Sequence, residues 1–301
     1  MTVPVNEGQA TDAAVSAAAS LQREGVFDHA VLNLHYDLDA GEQLFRALGF
    51  NVTPRSYHTL GSMNNLIVFG TNYLELIGLD PSNPNPRKEL LDWPVGLNGL
   101  VYGSDDIDVT AARLRAAKLP VLEPKSFSRE VVIEGVADEA RFRTVHLDPG
   151  YFSASRLYFC EHQTPHLVWH RAFMSHHNSA HSLKRLAIVA DDFDAQAQSL
   201  TRVLGLRPDP DARVWSRGTR VDFVSRKRLD NLYHGHADPG SGKTKVAVMG
   251  IGVASISALK AAMQPSLAQK LVDIDKSCSL LPASECFGVA IEFLATNVSL
   301  V

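Results

Sequence analysis

The feature that most constrains the fold is an order of one helix and several strands that returns along the chain. Its first copy, residues 27–80, opens with the strand-like "FDHAVLNL". It continues with "LDAGEQLFRALG", whose apolar residues fall near one helical face before a glycine stop. Three strand candidates follow, "FNVTPRSY", "NLIVFG" and "YLELIGL". The segment therefore predicts a βαβββ module.

The same order recurs three times. "GLNGLVYGSDD" and "VTAARLRAAKLPV" open a second copy, which "ARFRTVHLD" and "SRLYFCEHQ" complete. "LKRLAIVADDFDAQAQSLTRVLGLRP" opens a third, and "KVAVMGIGVASISALKAAM" opens a weaker fourth that ends in "FGVAIEFL". Paired copies whose curved sheets face each other are the natural way to bury four open sheets. We therefore predict an α+β fold of paired βαβββ modules that form cupped, incomplete barrels.

This pattern also predicts the domain organisation. An N-terminal arm spans residues 1–26, and a first domain spans 27–165 with modules 27–80 and 96–165. A histidine-rich connector spans 166–182, and a second, degenerate domain spans 183–301. Strands are expected near residues 28–34, 64–69, 73–78, 97–103, 140–147, 156–161, 185–190 and 287–293.

Composition and charge exclude several classes of function. The chain has 29 Lys and Arg residues against 33 Asp and Glu residues, so it has no basic footprint for nucleic acid. No apolar run approaches the roughly 20 residues that a membrane-spanning helix needs. The cysteines Cys160, Cys278 and Cys286 form no CxxC or zinc-ribbon spacing. The first 26 residues lack the pattern of a secretory signal, which predicts a reduced, cytoplasmic protein.

These segments carry a resemblance to a known family. "DHAVLNL", "DLDAGEQLFRALGF", "LGSMNNLIVF", "YLELIGL", "YFCEHQTPHLVW" and "HHNSAHSLKRLAIVADD" resemble the glyoxalase-like branch of the vicinal-oxygen-chelate superfamily. The resemblance covers most of residues 27–225. It implies paired βαβββ modules around a divalent metal ion. Members of the superfamily include isomerases, extradiol dioxygenases, thiol transferases and metal-free sequestering proteins, so the resemblance indicates a fold more firmly than a reaction.

The resemblance also implies a metal site. In this superfamily a histidine on the first strand of a module and a glutamate on its last strand point into the cup, and His29 and Glu75 match these positions. An imidazole and a carboxylate suit a borderline divalent ion, with Zn, Fe, Mn, Ni and Mg all open. The plainer alternative is that His29 bonds a backbone carbonyl and Glu75 points to solvent.

The second copy departs from the four-ligand pattern of the superfamily. Alignment puts Asn98 where a further histidine often stands, and it puts Phe159 opposite Glu75. Glu161 lies two residues on, on the same strand face, whereas His162 would face the other way unless a bulge intervenes. We predict a third ligand from Glu161 or His162, with His162 as the metal ligand and Glu161 as a candidate catalytic base.

His58 and Asn64, in "HTLGSMNN", are the other candidate catalytic residues. Related glyoxalase-like sequences carry a histidine followed by a Gly-Thr-x-Asn type of segment at this place. The Asn64 amide can both donate and accept, which suits it to hold a carbonyl or an enolate. The alternative is a simple turn, because glycine, serine and asparagine are ordinary turn formers.

Six of the twelve histidines are clustered between residues 162 and 181, namely His162, His166, His170, His176, His177 and His181. We predict that this segment lies along the rim of the first cup as a lid. By resemblance His166, His177 and Asn178 are the candidate lid or pocket residues. The alternative is a surface linker that happens to be rich in histidine.

The C-terminal half offers no complete second metal site. Glu292, in "GVAIEFL", stands where the strand-borne glutamate of the last module would be. The third copy begins with Lys184 and Arg185 in place of a histidine. This combination predicts a structural ion pair between Glu292 and a base of the third copy.

The leading functional hypothesis is a metal-dependent enzyme of the isomerase, lyase or dioxygenase type. Its substrate would be a small molecule that chelates the metal ion through adjacent oxygens. One alternative is a metal-free protein of the same fold that binds and sequesters a small molecule. Another is a structural protein that uses a degenerate cup as a dimer interface. Neither nucleic acid nor a membrane is an expected partner, and a homodimer is left open.

Overall fold

The computed structural model describes residues 23–207, 209–242 and 244–296. Most of the predicted N-terminal arm lies outside the described residues. The first half of the chain holds strands β1 to β8 in one sheet: β1 (Phe27–Asn33), β2 (Ser56–Tyr57), β3 (Met63–Val68), β4 (Tyr73–Gly78), β5 (Gly96–Gly103), β6 (Lys125–Ile133), β7 (Val136–His146) and β8 (Arg156–His162). Helices α1 (Leu38–Ala47) and α2 (Ile107–Ala116) follow β1 and β5.

The second half holds a seven-stranded sheet: β9 (Ala180–Val189), β10 (Arg213–Ser216), β11 (Thr219–Val224), β12 (Lys245–Val253), β13 (Val272–Asp275), β14 (Cys278–Leu281) and β15 (Ala290–Ala295). Its helices are α3 (Phe193–Leu204), α4 (Arg226–Tyr233), α5 (Ile256–Ala262) and α6 (Pro265–Ala268). Short 3-10 turns lie at Lys88–Leu90, Pro165–Leu167, Arg171–Phe173 and Ala283–Glu285. None of the helices in the described ranges is long and apolar enough to cross a membrane.

Both sheets have the same topology, which confirms the predicted fold of paired βαβββ modules. The first sheet has the order β2-β3-β4-β1-β5-β8-β7-β6, and the second has the order β10-β11-β9-β12-β15-β14-β13. In each, the first strand of a module pairs in parallel with its last strand, and the two modules meet through antiparallel first strands. The third module has one strand fewer than the first among the described residues.

The first sheet curls until its two edges meet. An isolated bridge joins His58, next to β2, to Arg129 on β6. The backbone N–H of Thr59 donates to the Ser128 carbonyl at 3.0 Å beside it. The sheet is therefore almost a closed barrel, with one face turned inward. The predicted strand "FNVTPRSY" forms only at its end, since a proline in its middle has no N–H for a ladder.

Glycine ends the first helices of modules one and three, as the sequence predicts. Gly49 and Gly205 have positive φ angles of 84° and 67°. Glycine adopts this left-handed conformation without steric cost, so both helices stop there and the chain turns back toward the sheet.

The apolar core has three parts. One cluster lies between the two halves and takes residues from both, including Leu32 and Phe50 of the first half and Leu186 and Phe293 of the second. The rings of Phe50 and Phe293 are 6.4 Å apart. A second cluster fills part of the first barrel, and a third lies on the inner face of the second sheet. Each sheet therefore has one face on the shared core and one face in its own cup.

Candidate functional site

Strand β1 carries a bulge that turns two neighbouring polar side chains into the first cup. Its pairing with β5 shifts between Phe27 and His29, so Asp28 has no partner in that ladder. A bulge breaks the alternation of faces along a strand. Phe27 packs in the shared core, whereas His29 lines the cup and Asp28 bonds to it.

The first cup contains a small, partly open cavity of about 30 Å³. Its polar lining includes His29, His58, Asn64, Glu75, Arg129 and His146. Aromatic side chains supply much of the rest, namely Tyr73, Phe127, Phe142 and Tyr158. A few convergent polar groups in a partly apolar cavity are typical of a small-molecule site.

His29 is held in one orientation by its neighbours. Its Nδ1 lies 2.6 Å from Asp28 Oδ1, and its ring stacks on Tyr73 with centroids 4.2 Å apart. Its Nε2 lies 3.8 Å from Glu75 Oε2. A histidine whose other ring nitrogen donates to a carboxylate has its free nitrogen fixed toward the site, as in metal centres.

Glu75 is a buried carboxylate without an arginine or lysine partner among the described residues. The Asn64 amide donates to its Oε1 at 2.7 Å, and His58 Nε2 lies 3.8 Å from the same oxygen. Burial opposes ionisation, but the imidazoles of His58 and His29 and this hydrogen bond hold the pKa of the Glu75 carboxyl below its usual value. The cup therefore contains a negative charge between two histidines.

His58 and Asn64 lie together on the closing edge of the barrel. His58 Nδ1 is 2.9 Å from Ser62 Oγ, and the Asn64 amide nitrogen is 3.2 Å from His58 Nε2. Burial lowers the pKa of His58 to about 3, so its imidazole is neutral at neutral pH. Asn64 Oδ1 is buried and has no hydrogen-bond partner. That oxygen can accept from a hydroxyl of a bound molecule.

A second group of candidate metal ligands lies at the wall of the cup. Ligand atoms of Asp28, His29 and His162 all lie within 4.8 Å of one another. Asp28 Oδ1 accepts from His162 Nε2 at 3.0 Å, while its Oδ2 accepts from Arg23 at 2.7 Å. Burial opposes its ionisation, yet His162 and Arg23 hold the pKa of Asp28 well below its usual range. Asp28 thus has a cationic partner in Arg23 and also contacts the ring of His29.

The second module presents different residues at the matched positions. In β4, Glu75 pairs with Val31, and in β8 the residue that pairs with Val101 is Tyr158. The predicted alignment of Phe159 with Glu75 is therefore wrong by one residue, and Phe159 packs in the shared core. Gly99, two residues before Val101, stands where His29 stands before Val31. Asn98 accepts from Arg156 at 3.1 Å and does not line the cavity.

Several predicted site residues lie elsewhere. Glu161 accepts from the backbone N–H of Ile107 at 3.0 Å, at the start of α2, because alternation along β8 turns it away from the cup. His166 and His177 are exposed. The Asn178 amide donates to the Leu48 carbonyl at 2.9 Å and thus joins the connector to α1.

The histidine-rich connector packs against the first barrel with apolar residues, not with histidines. Leu167, Val168, Trp169 and Phe173 pack into the core cluster of the first barrel. The Trp169 ring lies 4.8 Å from the ring of His162. The segment packs against the first barrel, and His166 and His177 are exposed. Its role as a lid stays a prediction.

Sequence reasoning missed Arg129 and His146, which both line the cavity. His146 stacks on Tyr158 with centroids 4.2 Å apart, and burial lowers its pKa well below the usual value. Arg129 is only 4% exposed and comes to the cavity by barrel closure. A charged residue in a strand with alternating exposure was the only signal available for Arg129.

The second cup holds an ion-pair network. Arg185 Nε donates to Asp222 at 2.6 Å, and its Nη1 donates to Glu292 at 3.2 Å and to the Tyr233 hydroxyl at 2.8 Å. This confirms the predicted ion pair between Glu292 and a base of the third copy. Tyr233, at the end of α4, packs into the same cup with Leu229.

The fold has relatives among solved structures. A hypothetical protein from Staphylococcus aureus is similar at a TM-score of 0.60 and 12% identity, over 89% of this chain and 98% of that one. A variant of 4-hydroxymandelate synthase from Streptomyces coelicolor gives 0.53 and 12%, over 91% and 92%. A fusion protein of a xylose isomerase-like TIM barrel and 4-hydroxyphenylpyruvate dioxygenase gives 0.54 and 14%, over 93% of this chain and 50% of that one.

Sequence comparison assigns the family. No curated protein matches the chain. The family described as "Glyoxalase-like domain" matches residues 27–204, which is more than half of the chain. With the paired modules and the solved relatives, this match shows that the chain belongs to the glyoxalase-like domain family and has the vicinal-oxygen-chelate fold.

Proposed function

We propose that the first cup is the active site of a metal-dependent enzyme that acts on a small molecule with two adjacent oxygens. The observation that carries the proposal is the convergence of His29 Nε2 and Glu75 Oε2, 3.8 Å apart, on one cavity. An imidazole and a carboxylate are suitable ligands for a borderline divalent ion. The buried Glu75 carboxylate forms no ion pair with an arginine or lysine of the described residues, which also favours a cation at this point.

His29 and Glu75 would hold the ion, and His162 would act through Asp28. His162 Nε2 is engaged with Asp28 Oδ1, so its support for His29 is indirect. A bound divalent ion would polarise the substrate oxygens and stabilise negative charge on them. With His29 and Glu75 as the two proposed protein ligands, the ion would remain accessible to the substrate.

Two residues of the chain would handle the substrate proton and hydroxyl. His58 is neutral and lies within 3.8 Å of Glu75, so a proton taken up on its Nε2 would be stabilised by that carboxylate. Asn64 holds Glu75 through its amide nitrogen and offers its free Oδ1 to a substrate hydroxyl. Trp169 and its neighbours in the connector exclude water from that end of the cup. These roles suit isomerase, lyase and dioxygenase chemistry equally.

The second candidate is a metal-free binding protein of the same fold. The observation that favours it is the second module, which presents Gly99 and Tyr158 at the positions matched to His29 and Glu75. A cup with an aromatic wall and without two of the expected metal ligands is suited to bind a flat molecule without converting it.

Elemental analysis separates the two candidates. Protein purified without a polyhistidine tag, then dialysed against trace Zn, Mn, Fe, Ni and Mg, is expected to keep about one divalent ion per chain. Retention of no ion above the level of a buffer blank would overturn the enzyme proposal and leave the binding protein.

A further inference from the structure

Arg129 is a buried arginine in the first cup that forms no ion pair with a carboxylate of the described residues. It is 4% exposed, and its one side-chain hydrogen bond runs from Nη1 to Ser56 Oγ at 3.0 Å. The guanidinium also lies 5.8 Å from the centre of the Phe142 ring. A guanidinium has five N–H donors, so most of its capacity is free. Burial lowers its pKa, and the nearby Tyr73 and Glu75 offset this effect only in part.

The charge of Glu75 favours the protonated form of Arg129, but no carboxylate of the described residues forms an ion pair with it. Arg87, which also lines the cavity, pairs with Glu89 at 2.8 Å. Glu75 is the one acidic group of the lining, and it is engaged by Asn64 and two imidazoles, without an ion pair to Arg129. An uncompensated buried charge costs several kcal/mol. A buried arginine without an ion pair at the wall of a cavity is therefore suited to bind an anion from solution.

We infer that the molecule bound in the first cup is a small organic anion whose carboxylate is held by Arg129. The planar guanidinium can donate two parallel hydrogen bonds to a carboxylate, and the low local dielectric strengthens them. The aromatic walls of Phe127 and Phe142, with rings 5.2 Å apart, would enclose the carbon skeleton. This inference deepens the proposed function and rests on the same cavity being the active site.

Calorimetric titration of metal-free protein tests the inference without any metal chemistry. The probes are malonate, its neutral isostere malonamide, and methylphosphonate. The intact protein should bind malonate, and malonamide should give no heat of binding. Arg129→Gln should weaken malonate binding by about thirtyfold or more, because a buried charged hydrogen-bond partner is lost. Arg141→Gln, on the neighbouring strand and exposed, is the matched control and should bind like the intact protein.

The outcomes that overturn the inference are distinct. Equal binding of malonate by the intact protein and Arg129→Gln, or equal binding of malonamide, removes the anion site. Tighter, Arg129-dependent binding of methylphosphonate overturns the assignment of a carboxylate. Absence of any anion binding to the intact protein also overturns it. Metal content is measured in a separate experiment, so the anion-binding results can be interpreted even if the metal proposal fails.

Thermal stability distinguishes a recognition role from a structural one. If Arg129 is kept for a ligand, Arg129→Met should fold with an unchanged or higher melting temperature, because an uncompensated buried charge has been removed. A structural arginine would show the opposite, with a melting temperature lowered in Arg129→Met and rescued by Arg129→Lys. That result would count against the anion site.

Discussion

The two cups share one frame and differ in how their inner charges are balanced. Glu75 pairs with Val31 in the first half, and Asp222 pairs with Ala187 at the matched place in the second. His29 stands two residues before Val31, and Arg185 stands two residues before Ala187. A histidine and a carboxylate in one cup therefore correspond to an arginine and a carboxylate in the other.

This difference shows what each cup can accept. In the second cup the guanidinium of Arg185 bonds both Asp222 and Glu292, so the cation is part of the chain. In the first cup the matched carboxylate, Glu75, is in direct contact with an amide and two imidazoles, and it forms no ion pair with an arginine of the described residues. A buried carboxylate needs a cation or good hydrogen bonds, and only the first cup leaves that place open to a dissociable ion.

The chain between the modules reinforces the contrast. The segment from β11 to β12 forms α4, whose Leu229 and Tyr233 pack into the second cup. The corresponding segment from β4 to β5 has a 3-10 turn at Lys88–Leu90 and contributes Arg87 to the cavity lining. One connection fills its cup, and the other leaves room for a molecule.

The largest expected effect is on metal content. His29→Ala or Glu75→Gln should leave the protein folded and nearly free of bound ion, because each removes one of two protein ligands. Asp222→Asn, at the position matched to Glu75, should keep the full metal content. Elemental analysis of the three variants, normalised to folded protein, checks this. Full retention of the ion by His29→Ala would contradict the first-cup site.

A large effect on stability is expected in the second cup. Arg185→Met should lower the free energy of unfolding by about 3 kcal/mol, because Glu292 loses its one arginine partner among the described residues and stays buried. His29→Met should cost less, since Asp28 keeps Arg23 and His162. Urea unfolding of both variants measures the difference. Equal losses in the free energy of unfolding would show that the inner charges of the two cups are balanced in the same way.

A smaller effect concerns the orientation of His29. Asp28→Asn should weaken metal binding by about 10- to 100-fold while the ligands themselves remain, as expected for a carboxylate behind a ligating histidine. Competition with a fluorescent chelator gives the affinity. If the affinity is unchanged, Asp28 does not position His29 and the bulge serves packing alone.

The smallest effect concerns the connector between the cups. His176 lies there, with its Nδ1 accepting from the Asn51 backbone N–H and its Nε2 bonded to the Val68 carbonyl, each at 3.0 Å. Burial lowers its pKa to about 4, below the unfolded value of about 6.5. Between these values the unfolded chain takes up the proton and the folded chain does not, so this site lowers stability as pH falls.

His176→Gln removes that dependence. When the pH falls from 7 to 5.5, the free energy of unfolding of the intact protein should decrease by about 1 kcal/mol more than that of the variant. Parallel unfolding curves at the two pH values measure this difference. The same loss in both proteins would mean that His176 is not the group that takes up the proton.

The sequence-based prediction of which side chains face the cup depends on regular alternation along each strand. It fails where that alternation is broken in the structure. His29 and Glu75 could be predicted because each lies on a strand with a clear inner face and matches a family position. Asp28 could not, because a bulge turns it inward next to His29. Phe159 packs in the shared core and Glu161 bonds the start of α2, because a shift of one residue along a strand exchanges its two faces. Arg129 reaches the cavity through barrel closure, a contact between distant segments that local patterns do not encode.

The core cluster between the two halves has a consequence for folding. Leu32 and Phe50 bury their surface against residues that include Leu186 and Phe293, so neither half has a complete apolar interior by itself. The chain should therefore unfold in one cooperative transition, despite its internal duplication. The family match ends at residue 204, before Phe293. A chain that ended there would leave part of the shared interior exposed to water. The second half, whose cup is filled, is thus required to complete the apolar interior of the first half, whose cup is open.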